Sequence, residues 1–462
     1  MQTLRIEQDA FGPVEIPADK YWGAQTQRAL AVFGGGREQF PPALLRAFGQ
    51  HKRACARANR QLGVLDPALA EAIEQAAEEL ANGRFDDHFP LTLWQTGSGT
   101  QTNMNANEVI ANRANERLGQ ALGSKAPVHP NDHVNRSQSS NDSFPTVMHL
   151  CTSLALSGEL LPALEHLHGG LLDKARHWQD VVKIGRTHLM DAVPMTMGQA
   201  FASFAAQIAL GIERVQGSLA RLNRLPQGGT AVGTGLNAPQ GFAQAFCSEL
   251  SALTGSVFTA NPCAFEGMGS HDVFVEVSGV LNVLAVSLTK LANDIRLLGS
   301  GPRCGLGELQ VPDDGLTSSI MPGKRNPTLA EVLLQACMQV MGNHTTVSMA
   351  GASSLFELNV AKPVIIHNVL QSIALLSDSV RRFTDRLLSG LEVNRAVLAR
   401  NVEGSLLLAT ALNPVLGYDQ VARITRKAAD DDLTPRQAAL ALGLLSEEAY
   451  DRYVRPEDMV GR

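Results

Sequence analysis

Aromatic side chains are scarce, 5% of 462 residues, and that scarcity argues against a β-sandwich, whose strands rely on aromatic and β-branched residues. The six cysteines, Cys55, Cys151, Cys247, Cys263, Cys304 and Cys337, include no CxxC pair and no histidine–cysteine cluster at ligand spacing. No zinc or iron–sulfur centre is therefore expected, and the thiols read as reduced, mostly core-filling residues of a cytoplasmic protein. No basic block occurs and the net charge is −6, which excludes a general nucleic-acid partner. The opening stretch MQTLRIEQDAFGPVEIP carries acidic residues where a signal peptide has an apolar core, so a cytoplasmic location is expected. No stretch approaches the ~20 apolar residues a membrane span needs, so no membrane partner is expected.

What the chain has in quantity is alanine and leucine at helical spacing. Val277, Leu281, Leu284, Leu288, Leu291, Ile295 and Leu298 step by four and three along one seam, the mark of a long bundle helix. Similar stripes run through Leu160, Leu164, Leu167 and Leu171, through Phe201, Phe204, Ile208, Val215, Leu219 and Leu222, and through Ile366, Leu370, Ile373, Leu376, Val380 and Phe383. Val273, Val280 and Val283 lie beside the first seam; a helix apolar on more than one face is deeply buried or pairs with another subunit, so an oligomer is expected. The pattern predicts a mainly α protein too long for one core. Three domains are expected: residues 1–138, mixed but mostly helical; 139–392, a central bundle; and 393–462, short helices broken by proline and glycine.

Four polar, glycine-rich segments interrupt this pattern. In WQTGSGTQTNMN (residues 94–105), Gly97 and Gly99 permit sharp turns while Ser98 and Thr100 offer hydroxyls ahead of a helix starting near Met104; the segment reads either as an N-capping loop or as a carboxylate site. In HPNDHVNRSQSSND (129–142), the polar groups outnumber the roughly four donors a helix start leaves open, which suggests a ligand; Pro130 and the absence of an i, i+4 histidine pair argue against a metal there. In GRTHLMDAVP (185–194), His188 is the side-chain type best suited to acid–base work at neutral pH, with a role that depends on its partners. Residues 299–327 run without helical periodicity, long for a connector in a helical protein, and the glycines at the ends suit a lid. That loop brings two serines, Lys324 and Asn326 together, with Glu331 one turn into the next helix.

TSSIMPGKRNP (317–327) resembles the GSSxMPxKxNP signature of the fumarase/aspartase superfamily. WQTGSGTQTNMNANEVIANRA and RSQSSNDSFPT are similar to the class II fumarase branch, whereas aspartase typically has an alanine in the first and LAQSTND in place of the second. GRTHLMDAVPMTMGQ, PQGGTAVGTGLN, GSGPRCG and YVRPEDMVG extend the likeness over essentially the whole chain. The resemblance implies the superfamily's three-domain, mainly helical fold, and a homotetramer whose central helices form a twenty-helix core and whose active sites are shared between chains. It implies a small dicarboxylate substrate, no cofactor, and reversible hydration of fumarate to L-malate through an aci-carboxylate. Carried onto matching positions, Ser318 is the base, His188 serves the water or leaving hydroxyl, and Glu331 orients His188. Ser98, Gly99, Thr100, Ser139, Ser140, Asn141, Thr187, Ser319, Lys324 and Asn326 match substrate-binding positions; His129, Pro130, Asn131 and Asp132 match a second, non-catalytic anion site. Thr317 stands where the family has glycine, Arg325 where fumarases usually have a small apolar residue, and His133 is closer to aspartase. The alternatives are an aspartate ammonia-lyase and a catalytically silent lyase homologue.

Overall fold

The computed structural model describes residues 3–316 and 318–461; Thr317, the departure from the family's glycine, lies outside them. The chain opens with an antiparallel hairpin, β1 (Leu4–Asp9) and β2 (Gly12–Pro17), in register from Leu4↔Pro17 to Asp9↔Gly12. Helices α1 (Ala24–Val32), α2 (Pro42–Gln61), α3 (Pro67–Ala81) and α4 (Thr100–Arg117) follow. Helix α3 has the proline start that its sequence announces, with Asp66 accepting from the N–H groups of Ala68 and Leu69. Helix α1 has no side-chain cap of its own. Its open donors at Gly23, Gln25 and Thr26 reach the buried Glu108 carboxylate on α4 at 2.9, 2.8 and 3.1 Å, so a charge-assisted bond between helices replaces the local cap.

Helix α5 (Ser140–Ala155) passes through one wide turn, Leu156–Leu160, into α6 (Leu161–His177). A second hairpin, β3 (Val182–Thr187) and β4 (Met190–Thr196), leads to α7 (Met197–Leu222), α8 (Phe242–Thr254), α9 (Ala264–Gly269), α10 (Asp272–Leu298), α11 (Thr328–Ala352) and α12 (Lys362–Arg382). The C-terminal part holds α13 (Arg395–Gly404), α14 (Asn413–Leu416), α15 (Tyr418–Asp430), α16 (Pro435–Ala441) and α17 (Glu447–Tyr453). Three of the four seams read from the sequence are buried faces: Val277 through Ile295 on α10 with Leu298 half-buried at its end, Leu160 to Leu171 on α6 and the turn before it, and Ile366 to Phe383 along α12 and the turn that follows it. On α7, Phe201, Phe204, Ile208, Val215 and Leu222 are buried while Leu219 is half-buried. Helix α11 is a further long helix that the seams did not single out.

One expectation needs correction. Ser140–His177, Asp272–Leu298 and Lys362–Leu388 are long and apolar enough to cross a membrane by length and composition. Scanning for unbroken apolar runs missed them because polar residues are interleaved, as at Ser278, Asn282, Ser287 and Asn293 of α10.

The chain divides into two compact units. The first comprises residues 1–161, 213–283 and 338–375, the second 162–212, 284–337 and 376–462. In the second, Ile184 of β3 packs into a cluster with Leu408, Leu412, Ile424, Ala438 and Tyr450, which anchors the root of the second hairpin to the C-terminal helices.

Candidate active site

In the first unit, the loop before α4 and the start of α5 meet. Helix α4 begins at Thr100, four residues ahead of the sequence expectation, with Gly99 at its cap in the left-handed region (φ 75°). Glycine is required at both turn positions: a Cβ on Gly97 would sit 1.3 Å from the Val360 carbonyl oxygen, and one on Gly99 would sit 2.2 Å from the Phe144 ring of α5. This close packing leaves Ser98 and Thr100 with their hydroxyl oxygens 2.8 Å apart. Ser139 caps α5, accepting from Asn141 N at 3.2 Å, while the Asp142 carboxylate accepts from Ser139 N at 2.9 Å. Ser140 Oγ accepts from Asn103 Nδ2 at 2.9 Å, and Asn141 Nδ2 donates to Ala231 O at 2.8 Å. Ser98, Gly99, Thr100, Ser139, Ser140 and Asn141 are thus drawn together by α4 and α5.

Two residues that sequence reasoning passed over hold this region. Asp142, fully buried, also accepts from Gln227 Nε2, Gly228 N and Thr230 N at 3.0, 3.0 and 2.9 Å, tying the 227–231 loop to α5. Burial pushes its pKa up to about 6, against the pull of the N–H donors and of Lys52. Lys52, also fully buried, reaches the side-chain oxygens of Asn103, Asn135 and Gln138 at 2.9, 3.2 and 2.8 Å. The sequence carried a signal for it: Lys52 follows Phe48 by four and precedes Cys55 by three, a cation set in the apolar stripe of α2, where an uncompensated charge is costly.

The proposed anion segment forms a short wide turn, Pro130–Val134, capped by His129, whose Nδ1 accepts from Asn131 N and Asp132 N at 3.2 Å each. Burial lowers the His129 pKa, and the Asp132 carboxylate 3.4 Å away opposes this.

In the second unit, Thr187 and His188 stand at the tip of the β3–β4 hairpin, where Thr187 pairs with Met190. His188 and Leu189 both adopt left-handed backbone (φ 56° and 63°), as a two-residue primed turn demands. Non-glycine residues there cost of order 1–3 kcal/mol each, strain that the hairpin's root must offset. The buried Glu308 carboxylate binds Arg186 and, at 3.4 Å, Lys183, fixing the strand one residue before Thr187. The tip is exposed, Leu189 at 77% and Met190 at 70%. Among the described residues His188 makes no hydrogen bond or ion pair.

The long loop is as irregular as its sequence implies, broken only by the short strand Leu309–Gln310. Ser318 Oγ accepts from the backbone N–H groups of Ile320 and Met321 at 3.5 and 3.3 Å. Lys324, Asn326 and Glu331 line one cavity of about 1010 Å³ with Arg296 and Arg325; among the described residues Ser318 and Ser319 stand outside that lining. Glu331, in the first turn of α11, lies 3.6 Å from Arg296, and among the described residues no hydrogen bond or ion pair joins it to His188. Arg325 pairs with Asp313 at 3.1 Å, both largely exposed. This pair fastens one arm of the loop to the other. Arg325→Ala is accordingly expected to change stability by under about 1 kcal/mol and kcat/KM by less than about threefold, measured by thermal unfolding and steady-state kinetics.

The lyase family matches residues 12–342, and the fumarase C C-terminus matches 408–461. Fumarate hydratase class II of Caulobacter vibrioides is 54% identical over 100% of this chain and 99% of its own length. The chain belongs to the class II fumarase family. The mitochondrial fumarate hydratase of Schizosaccharomyces pombe is 55% identical, covering 99% of this chain and 88% of the relative. The crystal structure of class II fumarase from Schistosoma mansoni superposes with a TM-score of 0.95 at 40% identity, covering 99% of each chain. The mainly α fumarase fold implied by the polar signatures is therefore the observed one, and this class II fumarase chain carries both halves of the signature set, one in each compact unit.

Proposed function

We propose that this chain is a fumarate hydratase, adding water reversibly to fumarate to give L-malate. The observation that carries the reading is Ser318, whose hydroxyl oxygen lies under two backbone N–H groups in the loop that also supplies Lys324 and Asn326. A serine can act as a base only if its alkoxide is stabilised, and N–H donors with a nearby ammonium provide that. Ser318 removes the C3 proton of L-malate. The resulting aci-carboxylate concentrates negative charge, which Lys324, Asn326, Ser319 and the Ser98–Thr100 and Ser139–Asn141 groups take up. Thr187 holds the substrate beside His188, which protonates the departing hydroxyl, with Glu331 orienting the ring.

Because Glu331 faces Arg296 within its own chain, its partnership with His188 is assigned to a homotetramer with shared sites, in which the three-domain subunits pack their long helices into a common core rather than into lipid. His129, Pro130, Asn131 and Asp132 are retained as a separate anion site. Four of the six cysteines are buried and all are free, which suits a reducing, cytoplasmic setting, although the Schizosaccharomyces pombe relative is named mitochondrial. Mixing the protein with fumarate in ammonia-free buffer is expected to remove fumarate's ultraviolet absorbance. Loss only when ammonia is added would assign an aspartate ammonia-lyase, and no loss under either condition a silent homologue.

A further inference from the structure

We propose that Lys52 is a positioning residue that sets the direction of a hydrogen-bond chain ending at Ser140, so that the Ser140 hydroxyl is presented as a donor to a substrate carboxylate. The inference rests on the fumarate hydratase reading and deepens it. Lys52 is fully buried, and among the described residues it has no carboxylate within ion-pair distance. Its three contacts are amide oxygens, those of Asn103, Asn135 and Gln138. An ammonium has donors and no acceptor, so each amide must turn its oxygen inward and its nitrogen outward.

The consequences can be followed bond by bond. Asn103 Nδ2 is left to donate, and it does so to Ser140 Oγ at 2.9 Å and to Asn135 Oδ1 at 3.2 Å. Asn135 Nδ2 donates to Gln138 O at 3.2 Å, and Gln138 Nε2 to Val134 O and Arg136 O at 3.0 and 2.9 Å. One cation thereby fixes three amides that would otherwise be free to flip. Ser140, already an acceptor from Asn103, keeps its O–H for another partner, and among the described residues none takes it. A carboxylate has acceptors only, so a hydroxyl fixed as a donor is the complement it needs, and no reorientation has to accompany binding.

Titration reaches the same chain. The ionisable groups facing Lys52 are Asp142 of α5 and, on its own helix, Cys55 and His51; burial holds His51 neutral with a pKa of about 3. Burial lowers the Lys52 pKa to about 8 from its ordinary 10.5, with Cys55 and Asp142 opposing. A neutral amine has a lone pair and no longer dictates the amide orientation. Between those two values the folded state holds fewer protons than the unfolded one, so this group's contribution to stability increases with pH while substrate binding weakens.

The test is Asn103→Asp. A carboxylate there keeps a partner for Lys52 but has no N–H for Ser140, whose hydroxyl then donates inward. KM for L-malate is expected to rise about ten- to a hundredfold, with Tm retained and kcat changed less. Lys52→Arg, which keeps its charge at high pH, is expected to move the alkaline rise of KM upward. An Asn103→Asp enzyme with wild-type KM overturns the inference, as does a KM rise matched by a collapse of Tm. Should that variant fail to fold, an unshifted alkaline limb in Lys52→Arg overturns it instead. The wild-type enzyme's turnover of fumarate is measured alongside, so failure of the hydratase reading is seen separately.

Discussion

Ser318→Ala is expected to lower kcat by about 10²- to 10⁴-fold, the range a positioned general base supplies, while KM for L-malate stays within a few-fold. The split follows from where the groups sit. Lys324 and Asn326, which take up the substrate carboxylate in our reading, line the cavity beside Arg296 and Glu331 and are untouched by the change. Only the oxygen that receives the C3 proton in the proposed mechanism is removed. Little structural cost accompanies it: Ile320 and Met321, whose N–H groups lose their acceptor, lie in an exposed loop, Ile320 at 82%, where water replaces the bond. Stopped assays following fumarate absorbance in both directions provide the measurement, with thermal unfolding to show that the fold is intact. Nearly full turnover in this variant would move the base to another residue. A raised KM with unchanged kcat would make Ser318 a binding group, since that pattern marks the loss of interactions made equally in ground and transition states.

The sequence made the long helices legible because burial on one face imposes a period, and the seam of α10 is buried from Val277 to Ile295. It hid the start of α4 because that helix buries polar residues: Asn103, Asn105, Asn107, Asn112 and Asn115 are all buried. Asn115 bonds both polar atoms of Val128's backbone at 2.8 Å, while the amide oxygens of Asn105 and Asn107 are buried without a partner among the described residues. Apolar periodicity cannot register a face of that kind. The hairpin that raises His188 was equally hidden, for its primed turn uses His-Leu where Asn-Gly or Asp-Gly would have announced it. Roles for Ser318, His188 and Glu331 came from the family signature, since spacing alone gives a histidine no partner. Lys52 was readable in principle, as a cation in an apolar stripe, but its partners come from α4 and the 135–138 turn, a tertiary fact.

Val286→Asp is expected to break the proposed homotetramer and with it most of the activity. Helix α10 buries its seam inside the chain, yet a second stripe remains apolar and open, with Val283 at 41%, Val286 at 55% and Leu297 at 46% exposure; α11 leaves Val332, Met338 and Met349 exposed as well. Scattered exposed apolar residues are ordinary, but rows of them along neighbouring long helices mark an association surface. A carboxylate buried at such an interface without a partner costs several kcal/mol, and the cost repeats in each copy of a symmetric assembly. Light scattering should show a smaller particle, and thermal stability should lose its dependence on protein concentration. Activity should fall in step, because in the proposed arrangement His188 obtains Glu331 from another chain, and a lone chain leaves that glutamate with Arg296 at 3.6 Å. Ser318→Ala should leave the particle size unchanged and slow only the chemistry. A Val286→Asp protein that stays whole would place the interface elsewhere, and one that dissociates yet remains active would show that a single chain completes its own site.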